Sequence, residues 1–455
     1  MWSRRQLDGL VERLARLLAH VFFREVEVEG RERIPRAAPL VVVANHHNSL
    51  IDPLLLLATL GVRPRFLAKS TLWQLPGIRA LLDLAGAVPV HRRHDEGADP
   101  AQNEATFRRC FDELAAGGAI ALFPEGISHD APGLAPLKTG AARIVLGVMR
   151  ERGVVAARVL PVGLTFEEKG VFRSRVLVRV GEPLDPTPWL RAAEHDAREA
   201  ARSLTAAIAR ALARVTLDYP SHEEATLLER AADLFAAGEK ALPARLALAE
   251  AFALRRSALR LYARLRARDP GRVDAVRGRL AGYAARIEAL GLRDDHVAAR
   301  YPPREVLAYA VGSAALLGFW LPLAALGAWF NWIPYRLLGV AAGRARSRDM
   351  PATVKLFGGF FLFPLAWALW SAAAGVAFGG RAALATALLA PLSGWFAMRF
   401  QERYERLLEE AAAYLRVVIG RHRLAELRAE RAALHAEVRE LARLEADDDK
   451  PEEGP

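Results

Sequence analysis

Two long stretches without charge constrain the fold of this chain more than any other feature. Residues 306–330 and 356–380 contain no Asp, Glu, Lys or Arg. Each is longer than the about 20 apolar residues that cross a bilayer core as a helix, and residues 382–398 come near the lower limit of about 17. We therefore expect an integral membrane region over residues 304–399, with two or three hydrophobic segments.

Basic residues flank these stretches and bear on their orientation. The first cluster lies between the first two stretches and the second follows the third; they are Arg336, Arg344, Arg346, Arg348 and Lys355, and Arg399, Arg403 and Arg406. The positive-inside tendency places both clusters in the cytoplasm. With the N-terminal domain also in the cytoplasm, we expect residues 306–330, broken by Pro322, to form a re-entrant hairpin. The other two segments then form a spanning hairpin that turns at residues 379–381.

Short β-type runs alternate with helical patterns before the membrane region, over residues 24–181. The runs are EVEVEG, PLVVVAN, PRFLAKS, GAVPVHR, AIALFPEG, ARVLPVGLTF and RVLVRVG, and the helical patterns fall near residues 50–60, 71–84, 100–116 and 138–151. This alternation predicts an α/β domain with a mostly parallel sheet flanked by helices. Ligands of such sheets gather at the carboxyl ends of the strands.

The chain divides into five predicted regions. An amphipathic helix over residues 1–23 carries Leu7, Leu10, Leu14, Leu17 and Leu18 on one side. The α/β domain follows over 24–220, a helical region over 221–303, and the membrane region over 304–399. Residues 400–455 form a charged helical tail with an acidic end that we expect to be disordered.

Composition excludes few classes of function. The 455 residues carry a net charge of +11, which suits nucleic acid, an anionic membrane or a phosphorylated substrate. No interleaving of aromatic and basic residues supports nucleic acid, so we expect no such partner. Cys110 is the only cysteine, which excludes a disulfide framework and a Cys-rich metal site.

The stretch NHHNSLIDP, residues 45–53, places two histidines before an aspartate. Imidazole accepts a proton near neutral pH, and a carboxylate behind it fixes its tautomer, so such a dyad can activate an alcohol or water. Only His47 has a carboxylate five positions later, because Ile51 stands at that distance from His46. We therefore predict that His47 lies on a loop and pairs with Asp52 in the first turns of the following helix, which Ser49 caps.

Three further motifs fall at predicted strand ends. GAVPVHR begins at Gly86 and supplies Arg92, which can hold a phosphate with two hydrogen bonds. FPEGISHD supplies Glu125, whose carboxylate can bind substrate hydroxyls or the amides of its own loop, together with Gly126 and Ser128. LPVG contains Pro161, which in a strand indicates an edge, a bulge or a pocket wall. Lys69 and Lys138 lie at the same predicted face.

Taken in this order, the four motifs NHHNSLID, GAVPVHR, FPEGIS and LPVG resemble the signature of the phospholipid and glycerol acyltransferase family over residues 20–185. The resemblance implies membrane-bound transfer of a fatty acyl group from acyl-CoA or acyl carrier protein to a hydroxyl of glycerol-3-phosphate or lysophosphatidate. It assigns His47 as general base and Asp52 as its orienting partner. Arg92 with Gly86 would hold the acceptor phosphate.

The resemblance also implies that Glu125 and Gly126 shape the acceptor site and that Pro161 lines the acyl side. From their places in the sequence, we further predict Ser128, Lys69 and Lys138 as substrate-binding residues. Direct attack of the alcohol on the thioester requires neither a cofactor nor a metal. Two alternatives remain open: a hydrolase or transacylase that uses the same dyad, and an inactive membrane scaffold.

Overall fold

The structure, a computed structural model, describes residues 4–74, 78–90, 100–236, 241–243, 245–344 and 350–448. The chain forms two compact units. The first contains Met1–Asp218 and Ala341–Gly358, and the second contains Tyr219–Val340 and Gly359–Pro455. Each unit thus combines segments that are distant in the sequence.

The described residues of segment 1–218 in the first unit form seven strands and seven α-helices. The strands are β1 (Glu25–Glu29), β2 (Leu40–Ala44), β3 (Pro64–Lys69), β4 (Val88–Val90), β5 (Ala119–Leu122), β6 (Arg158–Phe166) and β7 (Arg175–Val180). The helices are α1 (Arg4–Phe22), α2 (Ile51–Thr59), α3 (Ile78–Ala85), α4 (Pro100–Ala115), α5 (Gly140–Arg152), α6 (Thr187–His195) and α7 (Ala197–Ala213). Each predicted β-type run forms one of these strands.

The seven strands form one sheet in the order β1-β7-β6-β2-β5-β3-β4. All neighbours pair in parallel except β6 and β7, which are antiparallel. The predicted mostly parallel α/β fold is therefore confirmed. Every residue of β2 is buried, because apolar side chains cover both faces of the sheet.

Helix α1 packs on the sheet domain through a stripe of mostly small residues. Its buried residues are Val11, Ala15, Ala19 and Phe22, and they join a core with residues of α2. Two residues of the predicted leucine side, Leu10 and Leu17, are 46% and 58% exposed. Small alanines let α1 approach α2 closely, which a run of leucines would prevent.

The second unit begins with α8 (His222–Ala236), α9 (Leu248–Arg268), α10 (Pro270–Ala289) and α11 (Asp294–Ala298). Residues of α8, α10 and α11 share an apolar core with α15 (Arg421–Asp448). The predicted helical region and the predicted charged tail are therefore packed partners rather than separate segments.

Within the described part of the chain, three helices are long and apolar enough to cross a membrane: α12 (Pro303–Gly343), α13 (Met350–Phe378) and α14 (Gly380–Ile419). Helix α12 continues through Pro322. The predicted re-entrant hairpin is thus wrong, because apolar helices tolerate proline when other groups satisfy the freed carbonyl. The predicted turn at residues 379–381 coincides with the break between α13 and α14 at Gly379, whose φ is 87°.

One polar side chain connects the three apolar helices. Asn331 of α12 donates to the carbonyl of Ala390 of α14 at 3.4 Å and accepts the indole N–H of Trp367 of α13 at 2.8 Å. The helices also approach closely, because a Cβ at Gly327 would lie 2.0 Å from the carbonyl oxygen of Ser393. Hydrogen bonds and small residues are the usual means of packing helices in lipid.

Candidate active site

The carboxyl ends of β2 and β5 bring the first and third motifs together. These two strands are parallel neighbours, so the loop after Ala44 and the loop after Leu122 leave the same edge of the sheet. The buried side chain of Asn45 extends the sheet by one step, since it donates to the carbonyl of Leu164 and accepts its N–H at 2.9 and 2.7 Å. The loop that carries the histidines therefore begins at a fixed point.

The imidazole that contacts Asp52 belongs to His46. His46 Nδ1 lies 2.8 Å from Asp52 Oδ2, and Asp52 is fully buried. The same oxygen accepts the backbone N–H groups of His47 and Asn48, each at 2.8 Å. The predicted loop position of His47 is confirmed, but the predicted pairing of its ring with Asp52 is wrong, because His47 reaches this carboxylate with its backbone N–H and His46 with its ring. Ser49 does not cap α2 but turns this loop at a φ of 46°.

The ring of His47 lies away from Asp52. Its Nδ1 is 3.3 Å from the carbonyl oxygen of His129, and the two imidazoles meet edge to face. Burial lowers the pKa of His47 below that of an exposed histidine, although the negative charge of Asp52 acts in the opposite direction. The ring of His47 packs against the loop after β5.

Phe123 and Asp52 fix the orientation of the His46 ring. The ring of Phe123 stacks on it with centroids 4.1 Å apart and an angle of 13° between the planes. A hydrogen bond from Nδ1–H to Asp52 leaves Nε2 as the basic nitrogen. His46 lines a cleft, so this nitrogen is the group that can remove a proton from a substrate.

The carboxylate of Glu125 binds backbone amides and a histidine of its own protein. Its carboxylate accepts the N–H of His46 at 2.8 Å on Oε1 and the N–H of Ala135 at 2.8 Å on Oε2, where it also contacts His129. Gly126 and Ser128 line the cleft, whereas Glu125 does not. Of the two predicted uses of this carboxylate, the structure favours binding of loop amides over binding of substrate hydroxyls.

The cleft has a volume of about 1580 Å³ and combines cationic with apolar lining. Lys69, Lys138 and Arg143 supply positive charge, and the predicted residues Gly126 and Ser128 lie beside them. Apolar side chains come from α1, α2, α3 and residue 357; they include Leu14, Leu18, Leu54, Leu57, Leu81 and Phe357. A cleft of this composition suits a molecule that has an anionic group and a hydrocarbon chain.

Two of the predicted site residues that the structure describes do not line the cleft. Gly86 ends α3 with a φ of 65° and packs against the guanidinium of Arg65, outside the cleft. Pro161 lies inside the sheet, where its carbonyl accepts the N–H of Gly181 at 2.9 Å, so its predicted place on the acyl side is wrong. The antiparallel pairing of β6 with β7 starts at Val162, so it does not require the backbone N–H that Pro161 lacks. Arg92 lies outside the described residues.

Sequence reasoning missed four residues of this site. His46 was excluded by its distance from Asp52 in the sequence, and Phe123 and His129 stood inside the third motif without an assigned role. Arg143 faces the cleft from α5 and stacks its guanidinium 4.6 Å from the ring of Phe107. The one sequence signal for Arg143 was its position, three residues after the start of a helix that begins near the strand ends.

Comparison with known proteins shows what this chain is similar to. Residues 25–165 match the Acyltransferase family. The chain is 24% identical over 454 residues to an uncharacterized acyltransferase of Schizosaccharomyces pombe, covering 78% of this chain and 66% of that protein. It is 29% identical to glycerol-3-phosphate O-acyltransferase 2 of Saccharomyces cerevisiae over 201 residues, or 44% of this chain and 26% of the relative.

A third relative carries a different acceptor in its name. The chain is 27% identical over 141 residues to a chloroplastic 1-acyl-sn-glycerol-3-phosphate acyltransferase of Brassica napus, covering 31% of this chain and 39% of the relative. The chain thus spans two thirds or less of the length of each of these relatives.

Proposed function

We propose, on the premise that residues 25–165 form an acyltransferase domain, that this chain transfers a fatty acyl group from an acyl thioester to a hydroxyl of glycerol-3-phosphate. The observation that carries the proposal is the His46–Asp52 pair in a cleft with both cationic and apolar walls. Catalysis of this kind needs a base, a site for an anion and room for a hydrocarbon chain.

The chemistry follows from the geometry of the pair. His46 Nε2 removes the proton from the acceptor hydroxyl while the alkoxide oxygen attacks the thioester carbonyl. Asp52 stabilises the resulting imidazolium through Nδ1–H. The carbon–sulfur bond then breaks, the thiolate takes the proton back from Nε2, and the new ester leaves. No nucleophile of the protein and no cofactor takes part.

The cationic lining supports a phosphorylated acceptor. Lys69 ends β3 and Lys138 precedes α5, so both come from the edge of the sheet that carries His46. Together with Arg143 they place three positive charges around one cleft, against the one carboxylate of Glu104 among the described lining residues. An ammonium or guanidinium in a partly dry cleft binds a phosphate more strongly than the same group in water.

The choice between the two acceptors rests on the relatives. The relative named for glycerol-3-phosphate aligns over 44% of this chain, and the relative named for 1-acyl-sn-glycerol-3-phosphate aligns over 31%. We therefore take glycerol-3-phosphate as the first candidate and lysophosphatidate as the second. Acyl-CoA and acyl carrier protein are both suitable donors.

In this proposal the enzyme acts at a membrane, and its catalytic domain lies in the cytoplasm. A single crossing by the unbroken α12 would put the basic residues after it on the opposite side from the catalytic domain, so the orientation is tested on the catalytic domain itself. Arg198→Cys, at an exposed position of α7, is labelled in intact cells. Cys110 is buried, and burial raises the pKa of its thiol to about 12, so only the new cysteine reacts. Labelling from the outside alone would contradict the orientation.

A parallel assay tests the activity. The full chain, purified in detergent, is given acyl-CoA with glycerol-3-phosphate, with lysophosphatidate or with neither, and the products are identified by mass spectrometry. We expect lysophosphatidate from the first mixture and its absence with His46→Ala. Free fatty acid without any glycerolipid product would instead favour a hydrolase, and no product from any mixture would favour an inactive scaffold.

A further inference from the structure

The loop after β5 holds both polar groups of the His46 backbone. Glu125 Oε1 accepts the N–H of His46 at 2.8 Å, and the N–H of His129 donates to the carbonyl of His46 at 3.2 Å. The position of the His46 ring depends on the backbone dihedrals between these two bonds. Residues 125–129 thus determine where the imidazole meets Asp52.

The tautomer of His129 can be read from its neighbours. The N–H of Ala131 donates to His129 Nδ1 at 3.1 Å, so Nδ1 carries no hydrogen. The hydrogen of the neutral ring is then on Nε2, which contacts Glu125 Oε2. His129 therefore donates to Glu125 as a neutral imidazole, and a second proton on Nδ1 would face the N–H of Ala131.

The Glu125 carboxylate accepts only donors from the protein. Its side chain has an exposure of 0%, and its two oxygens receive the N–H groups of His46 and Ala135 and the ring of His129. A carboxylate that must accept on both oxygens cannot be replaced by an amide of the same size. The NH₂ of the amide would face one of the two backbone N–H groups.

We infer that His129 and Glu125 are positioning residues for acyl transfer, which hold His46 through its backbone and do not contact the acceptor. The inference rests on the proposed function, because it assigns to His46 the role of base. His129 fixes the Glu125 carboxylate with its side chain and the carbonyl of His46 with its own N–H. Lys169 secures the same loop, since its ammonium donates to the carbonyl of His129 at 2.8 Å.

Kinetic constants of three variants test this role. His129→Ala removes the donor to Glu125, whereas His129→Gln keeps an N–H donor at the position of Nε2. We expect His129→Ala to lower kcat about 100-fold with the acceptor KM unchanged within about twofold, since small misplacements of a reacting group cost rates of this order. His129→Gln should keep kcat within about threefold of the wild type, and Glu125→Gln should lose at least as much kcat as His129→Ala.

Controls separate positioning from loss of structure. His195→Ala removes an exposed histidine of α6 outside the site and should leave both constants unchanged. Thermal unfolding of each variant is followed in the same detergent, and Glu125→Gln, which has the size of the native side chain, carries the test if His129→Ala does not fold. A raised acceptor KM with normal kcat for His129→Ala or Glu125→Gln would mean that these side chains contact the acceptor and would overturn the inference.

The same assay distinguishes this inference from the proposed function. If His46→Ala is inactive and His129→Ala has the kcat of the wild type, the positioning role is wrong and the proposed chemistry stands. If His46→Ala retains full activity, the proposed chemistry itself fails. Equal loss of kcat in His129→Gln and His129→Ala would show that the donor on Nε2 is not what matters, which also contradicts the inference.

Discussion

Alanine at each of the two adjacent histidines should separate their roles. His46 and His47 have the same chemistry and neighbouring positions, but only the His46 ring is 2.8 Å from Asp52. The side chain of His47 contacts the carbonyl of His129 instead, and its contact with Asp52 is made by the backbone N–H, which alanine keeps. We therefore expect His46→Ala to abolish acyl transfer and His47→Ala to weaken it only slightly.

The structure sets the size of the two effects. Loss of a positioned general base costs about 10²- to 10⁴-fold in rate, which corresponds to about 3–5 kcal/mol in activation free energy. His47→Ala removes one long hydrogen bond of 3.3 Å, and such a bond contributes about 0.5–1.5 kcal/mol net. Its effect on kcat should therefore not exceed about tenfold.

Initial rates with saturating acyl-CoA and acceptor measure both variants under identical conditions. Each variant serves as the matched control of the other, because the residue removed and the residue introduced are the same. The reasoning would be refuted by His47→Ala losing more than about 100-fold while His46→Ala stays within about tenfold of the wild type. That result would restore the pairing that sequence spacing predicts.

Three other perturbations have directions set by the structure. Gly126→Ala should lower the free energy of unfolding by about 1–2 kcal/mol, measured by chemical denaturation, because φ at this position is 75°. It should also raise the acceptor KM in kinetic assays, because the new Cβ would displace the Lys138 ammonium. Asn331→Leu leaves the indole N–H of Trp367 without its acceptor and should destabilise the membrane helices by about 1 kcal/mol in a detergent unfolding titration, with unchanged stability as the contrary result. Because the folded-state pKa of His47 is lowered, stability should fall as pH drops below about 6.5, where the unfolded chain takes up the proton first; thermal midpoints measured against pH should show a shallower slope for His47→Ala.

The sheet was predictable because its signal lies in short, continuous stretches of sequence. A strand that is covered on both faces needs a continuous apolar run, and LVVVA is such a run. The sequence also identified Asp52 as the carboxylate of the site. It failed at the histidine, because the choice rested on a count of residues to Asp52, whereas the loop turns at Ser49 and brings the ring of His46 to that carboxylate.

The remaining errors come from contacts between distant segments. Glu125 and His46 are 79 positions apart in the sequence, and their hydrogen bond depends on the shapes of two loops. No periodicity encodes such a contact. The hairpin at Pro322 was predicted in order to keep both basic clusters and the N-terminal domain on one side, whereas α12 continues unbroken through this proline, as apolar helices can.

The two carboxylate oxygens of Asp52 are unequal. Oδ2 receives His46 and two backbone N–H groups, whereas Oδ1 is buried and bonds to none of the residues that the structure describes. Asp52→Asn can therefore keep an acceptor oxygen where all three donors converge and place its NH₂ where no bond is lost. This exchange replaces one oxygen by an NH₂ group of similar size. It would therefore preserve the shape of the loop and remove the negative charge beside the imidazole. The site thus allows the electrostatic contribution to catalysis to be measured apart from the geometric one.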